Sequence, residues 1–389
     1  MSESINAERI GFFFGAGASI EFGIPSMKQM TMTFAHEIRN KVGQDREKRV
    51  FNTIYKSLAK VYGEQNVDLE AIMSVIAGLK EKEHIKENIG DLGLFVLERK
   101  GITNYANWFK CRTDVLDNLE DEFKKHIRNK VVIHDPMKID LAREVYLDFF
   151  KHLCVFTNCD NVNAQDSDPY KYTHSKWTFF TTNYDNIIED FWVKGREYTE
   201  LNLGFEQRKA KKIMYADRFL HNNTNDANYN AAMQLVKLHG SINWIKDKDR
   251  AIEEHRYHLS FDDVRSTSGP KDIQEDILIY PLSQKQLYFT PFVQLFRILD
   301  AELEKRNLWI VIGYSFRDIV IRTMFERALA ANHSRKILLI HPHATKQIKP
   351  LFQEQVQNQL KCMDTYFARE NYTSVNKEIA EVLLDLANA

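Results

Sequence analysis

Residues Ile10-Gly11-Phe12-Phe13-Phe14 are apolar without interruption, and the run stops abruptly at Gly15-Ala16-Gly17-Ala18-Ser19. A short run with no polar alternation marks a strand covered on both faces, and glycines directly after it permit a tight turn into a helix. Apolar runs of similar length return at 177–182, 234–238, 277–280, 308–312 and 337–340. Helical periodicity falls between them, at 186–193, at 290–305 with Thr290 as N-cap and Pro291 at the first helical position, and at 317–331. Strands alternating with helices build a mostly parallel sheet covered on both sides.

The expected fold class is therefore α/β, a Rossmann-like doubly wound, mostly parallel sheet with a large helical insertion. From about residue 36 to 174 the pattern is helical. Asp68 reads as an N-cap followed by Leu69, Ile72, Met73 and Ile76 at helical spacing, and Leu141, Val145, Phe149 and Leu153 repeat that spacing. We expect one discontinuous domain, residues 1–35 and 175–389, split by an insertion of residues 36–174. The stretch 221–230, HNNTNDANYN, is too polar to pack and reads as a surface loop. With 389 residues, 44% hydrophobic and 28% charged, the chain can bury a substantial core and lies outside the range of disorder.

Lys and Arg number 53 against 54 Asp and Glu, so no global field draws the protein to nucleic acid or to an anionic membrane. Two basic clusters, 124–128 and 208–212, read as solvated helix faces or protein contacts, the first beside Asp121 and Glu122. No basic-then-apolar leader opens the sequence, and no apolar run approaches the ~20 residues that span a bilayer, so the expected location is the cytoplasm. Cys111, Cys154, Cys159 and Cys362 contain no Cys-x-x-Cys pair, which argues against a zinc ribbon and a disulfide framework.

The stretch Gly15-Ala16-Gly17-Ala18-Ser19, read as a strand-to-helix turn, places backbone N–H groups where a phosphate is favoured. Ile20 stands where a dinucleotide fingerprint would carry its third glycine. Together with Gly23-Ile24-Pro25-Ser26, the string GAGASIEFGIPS closely resembles the first motif of the sirtuin family. Three further stretches follow in that family's order. Thr181-Thr182-Asn183-Tyr184-Asp185 resembles its Asn-x-Asp nicotinamide-pocket motif, Lys237-Leu238-His239-Gly240-Ser241 its His-Gly motif, and Gly313-Tyr314-Ser315-Phe316 its ribose and phosphate turn.

The resemblance implies an NAD site at the carboxyl ends of the strands. Its expected cofactor contacts are Gly15, Ala16, Gly17, Ser19, Pro25, Asp185, Gly313, Tyr314, Ser315 and His341, with Asn183 and His239 as catalytic residues. The chemistry agrees. Breaking the nicotinamide–ribose bond passes through an oxocarbenium-like state, which needs a held carboxamide, a stabilised cation and a placed nucleophile. The Asn183 amide both donates and accepts, so it can orient water or the carboxamide. The Asp185 carboxylate can accept from the carboxamide, and His239 can take a proton from a ribose hydroxyl or water. The plainer alternatives are that Asn183 caps the helix beginning near Asp185 and that His239 is a turn residue bonded to backbone. A serine nucleophile at Ser315 is disfavoured, because Arg317 occupies the second glycine position of G-x-S-x-G. His341 and His343 flank Pro342 after a strand and read as the adenosine end of the site or a turn, not as metal ligands.

Sirtuin deacylases carry two Cys-x-x-Cys zinc pairs and continue their first motif into Asp-Phe-Arg. Here the pairs are absent and Pro25 leads into Ser26-Met27-Lys28. The chain looks more like the sirtuin-like proteins of bacterial antiphage defence, which hydrolyse NAD to ADP-ribose and nicotinamide, and no zinc is expected here. That likeness implies a homo-oligomer and a separately encoded partner, such as a HerA-type ATPase or helicase or a short Argonaute. NAD-dependent deacylation and non-enzymatic sensing of NAD or ADP-ribose remain the other readings.

Overall fold

The computed structural model describes residues 10–64, 67–81, 113–133, 135–156, 177–189, 201–208, 211–214, 216–219, 233–246, 252–254, 275–278, 291–368, 370–371, 374–375, 377–379 and 381–382. In chain order the elements are β1 (Ile10–Phe14), α1 (Met27–Asn40), α2 (Asp45–Tyr62), α3 (Leu69–Glu81), α4 (Thr113–Lys130) and α5 (Pro136–Phe156). There follow β2 (Trp177–Thr181), β3 (Leu201–Asn202), β4 (Phe205–Arg208), β5 (Lys211–Met214), β6 (Met233–Lys237), β7 (Gly240–Lys246), β8 (Ile252–Glu254) and β9 (Glu275–Leu278). The chain continues through α6 (Phe292–Lys305), β10 (Leu308–Ile312), α7 (Ile319–Ala331), β11 (Lys336–Ile340) and β12 (Leu360–Met363).

Two compact units emerge, one of Met1–Ile24, Val131–Leu278 and Leu287–Ala389, the other of Pro25–Lys130 and Ile279–Gln286. The first holds a seven-stranded sheet in the order β12-β11-β10-β1-β2-β6-β3, and its pairings among the described residues are all parallel. Set aside the two-residue edge strand β3, and the chain visits β1, β2 and β6 outward on one side, then β10, β11 and β12 on the other. That is the 3-2-1-4-5-6 order of the doubly wound dinucleotide folds, with its reversal between β1 and β10. The expected α/β class is the observed one.

Burial explains the unbroken apolar runs. All five residues of β1, β2 and β10 are buried, as a sheet with both faces covered demands. Alternation along β1 sends its rings to opposite faces. Phe12 and Phe14 meet Phe149 and Tyr146 of α5, with ring centroids 6.4 and 5.9 Å apart, while Phe13 meets Tyr314 and Phe325 of α7 at 4.6 and 5.6 Å.

Several local expectations are corrected. No α-helix follows the first turn directly: a three-residue 3₁₀ turn, Ala16–Ala18, takes its place. Residues 277 and 278 of the run at 277–280 belong not to the parallel sheet but to β9, which pairs antiparallel with β7 in a second, five-stranded sheet of order β4-β5-β8-β7-β9; 279 and 280 lie outside the described residues. The helix expected from 317 starts at Ile319 because Asp318 caps it, and Pro291 stands at the cap of α6, one position before its first helical residue. Thr290, the polar loop 221–230, residues 190–193, Lys209, Ala210, Cys111 and Cys159 lie outside the described residues.

The second unit is helical. Asp68 caps α3 through its Oδ1, which accepts from the Ala71 amide at 2.9 Å, as its sequence position suggested. Phe34 of α1 packs edge-on against Phe51 of α2 and Phe123 and His126 of α4. In the basic cluster 124–128, His126 and Arg128 are buried, so the charge pattern there is not a fully solvated face. No described helix is long and apolar enough to cross a membrane.

Candidate active site

Five consecutive strands of the parallel sheet, β11, β10, β1, β2 and β6, end in His341, Gly313, Gly15, the Thr182-Asn183 pair and Leu238-His239. Hydrogen bonding runs past the strand ends. The amides of His341, Gly313, Gly15, Thr182 and Leu238 donate to the carbonyls of Met363, Ile340, Ile312, Phe14 and Thr181, at 2.8–3.3 Å. One row at the carboxyl edge thus carries most of the expected site. At ~4.8 Å per strand its ends are separated by roughly 19 Å, so His341 and His239 address different parts of any ligand.

The centre of the row lies at the reversal of strand order. There Gly15 and Gly17 abut Gly313, and the Gly17 amide donates to the Gly313 carbonyl at 2.9 Å. A Cβ on Gly15 would lie 2.6 Å from Tyr314 Cα, and one on Gly17 would lie 2.6 Å from Gly313 Cα. Gly313 has φ +66°, and its Cβ would lie 2.3 Å from the Ala18 nitrogen. Where the sequence suggests backbone N–H groups set out for a phosphate, the space beside these glycines is filled by the opposite turn. The amides of Gly15, Gly17, Ala18 and Ser19 are all bonded to backbone carbonyls.

Beside this centre, the 182–186 loop is tied into a network. The Asn183 Nδ2 group donates to the Gly15 carbonyl at 3.0 Å and to Ser19 Oγ at 3.2 Å. Ser19 Oγ donates to Asp185 Oδ2 at 2.9 Å, and Asp185 Oδ1 accepts the Ile187 amide at 3.2 Å. Asp185, not Asn183, is therefore the local cap. With both amide protons engaged, Asn183 keeps only Oδ1, an acceptor, for a ligand.

Beneath the loop, the buried Lys237 ammonium donates to Glu189 Oε1 at 2.7 Å, to Asn186 Oδ1 at 3.1 Å and to the Asp185 carbonyl. Ser241 Oγ joins it by donating to Asn186 Oδ1 at 2.9 Å. Burial pushes the Glu189 carboxyl up, with Lys237 opposing. Burial also pushes the Tyr146 phenol well above its usual range, and the Asp185 and Glu189 charges add to that.

His239 occupies the joint where β6 of the parallel sheet hands over to β7 of the antiparallel one, followed by Gly240 at φ +89°. It is 2% exposed, and its ring stacks on Phe296 of α6 with centroids 6.5 Å apart. Its Nε2 lies 3.5 Å from Oδ2 of Asp318. Asp318 was absent from the expected site, although an Asp directly before a helical pattern is the N-cap signal that could have drawn attention to it.

At the far end, burial, His343 and Arg317 lower His341 to about 4 against the pull of Asp364, so its ring is neutral near pH 7. Its Nδ1 accepts the His343 amide at 3.1 Å, which accounts for the pair as a turn. Tyr314 packs between Phe13 and Phe316, and Ser315 is half-buried in the same loop. Ala16 is half-buried in the 3₁₀ turn, and Pro25 is the first residue of the second unit.

No curated protein matches the chain. Among solved structures, a Sir2 homologue in complex with NAD aligns at 11% identity and TM-score 0.43, covering 98% of this chain and 92% of that one. A Sir2 homologue with 2′-O-acetyl ADP ribose aligns at 12% identity and TM-score 0.40, covering 98% and 94%. Scores this low add nothing to the fold read directly from the sheet. Residues 178–361, from within β2 to within β12 and carrying Asn183, Asp185, His239, Gly313 and His341, match the family described as the SIR2-like domain.

Proposed function

We propose that the chain hydrolyses NAD at its nicotinamide–ribose bond, releasing nicotinamide and ADP-ribose. The observation that carries this reading is the row of strand ends at the reversal of a doubly wound sheet, with β2, β6, β10 and β11 falling in the segment that matches the SIR2-like domain and an amide oxygen and an imidazole on neighbouring strands. The dinucleotide lies along the row, its adenosine end toward His341 and its nicotinamide end toward Asn183 and His239. The turns Gly15–Ser19 and Gly313–Ser315, packed on one another, together form the floor on which the phosphates and ribose lie.

Water supplies the nucleophile. As the glycosidic bond breaks, its electron pair leaves with nicotinamide and the ribose carbon gains cationic character. Asn183 Oδ1 accepts a hydrogen bond from the incoming water, and His239 takes the proton released as the new C–O bond forms. A positioned base of this kind contributes roughly 10²- to 10⁴-fold in rate. Asp185 and Ser19 act mainly by fixing the Asn183 loop, and the nearby carboxylate charge favours the cationic ribose.

An NAD hydrolase left always active would be toxic. Assembly into a homo-oligomer, or binding of a partner such as a HerA-type ATPase, is the switch we assign to it, in an antiphage role based on NAD depletion. The test is nicotinamide release from NAD by the native chain, Asn183→Ala and His239→Ala, with and without partner and with and without an acylated peptide. Release without peptide, lost in both variants, is expected. Release only with peptide would identify a deacylase, and NAD binding with no release under any condition would identify a sensor.

A further inference from the structure

We propose that Asp318 is the positioning residue for His239, holding the imidazole as the Nε2–H tautomer so that Nδ1 faces the reaction. Its catalytic part rests on the hydrolase reading; the pairing itself does not.

Asp318 caps α7 with a single oxygen. Its Oδ1 accepts the Val320 and Ile321 amides at 2.8 and 3.3 Å. Ser or Asn would cap that helix about as well, so capping alone does not call for a carboxylate. The second oxygen does. Oδ2 is buried, 3.5 Å from His239 Nε2, and neither atom has a hydrogen-bond partner among the described residues. The two side chains are only 5% and 3% exposed. A buried carboxylate oxygen without a donor is costly, and the polar atom facing it is an imidazole nitrogen.

The separation is long for a hydrogen bond but is closed by a sub-ångström shift of the ring, as catalytic pairs often tighten once substrate binds. Phe296 lies over one face of the ring, with centroids 6.5 Å apart. With Nε2 donating to the carboxylate, the second ring nitrogen is the proton acceptor.

The loop that delivers Asp318 is strained. Phe316, two residues earlier, has φ +52°, the sole positive value at a non-glycine position among the described residues. Its ring is fixed against Tyr314, Phe325 and Phe352 at 4.8–5.2 Å. Strain held in place by packing is a property of sites that must present a group in one position.

Asp318→Asn keeps the cap oxygen while replacing Oδ2 by a donor; Asp318→Ser keeps a cap and removes the reach. Both should unfold in urea at nearly the native midpoint. The ring nitrogens of His239 in NMR, assigned by their loss in His239→Gln, should show the Nε2–H tautomer in the native chain, and both variants should lose that preference. In nicotinamide release, kcat should fall about 10²- to 10⁴-fold with little change in KM. An unchanged His239 tautomer in both variants would overturn the pairing whether or not the chain hydrolyses NAD. A changed tautomer with undiminished turnover would overturn the positioning role. If the native chain never releases nicotinamide, the tautomer still decides the pairing, and the hydrolase reading fails separately.

Discussion

The two halves of the site are built on opposite plans. Around Asn183, Ser19 and Asp185, hydrogen bonds link loop to loop, and Lys237, Asn186 and Glu189 brace the floor. Around His239, two buried polar atoms face each other across 3.5 Å without closing a bond. The first half is satisfied by the protein alone. The second is satisfied only when something moves or binds. Such a division suits a site that must keep its shape through a reaction and yet change protonation within it.

The contrast breaks most readily at the glycines that support the saturated half. Gly313→Ala places a Cβ 2.3 Å from the Ala18 nitrogen on a residue at φ +66°. Left-handed strain and overpacking together should remove about 2–5 kcal/mol of stability in urea unfolding. A neutral result would mean that the two turns are not mutually fitted.

A smaller effect separates the halves directly. Asn183→Ala removes its hydrogen bonds to Ser19 Oγ and to the Gly15 carbonyl, which keeps the Ala18 amide, and should cost about 1–3 kcal/mol. His239→Gln, which breaks no bond among the described residues, should change stability by less than about 1 kcal/mol. Equal losses in urea would erase the distinction between a structural and a reactive half.

The smallest effect concerns the far end of the row. The folded pKa of His341, about 4, lies below the unfolded value of 6.5, so the unfolded chain binds the extra proton first. Its contribution is fully present above pH 6.5 and is lost as pH falls from there through 4. Partial exposure of the ring limits the loss to about 1–2 kcal/mol. Thermal unfolding of the native chain and His341→Gln between pH 7 and pH 4 should show that slope flattened in the variant.

What was legible in the sequence follows from how each element is buried. Strands β1, β2, β6, β10 and β11 lie within a sheet that is covered on both faces, so each reads as an apolar block, and the residue after each block marks the candidate site. The antiparallel sheet was missed because Phe205–Arg208 and Lys211–Met214 are short and mixed in polarity, and Ile277 gave no sign of the sheet it joins. Asp318 lies 79 positions from His239 in the chain, and no local pattern announces that they meet. The motif glycines mark the tight turn that their place after β1 suggested, and what they admit is the other turn.

The meeting of Gly15 and Gly17 with Gly313 has a consequence for how this protein can vary. When a side chain crowds a side chain, a second mutation can trim the neighbour and restore the fit. Here the nearest obstacles are Tyr314 Cα for Gly15, Gly313 Cα for Gly17 and Ala18 nitrogen for Gly313, atoms every amino acid possesses, and no codon change can remove them. The three positions therefore have no second-site remedy short of moving a strand.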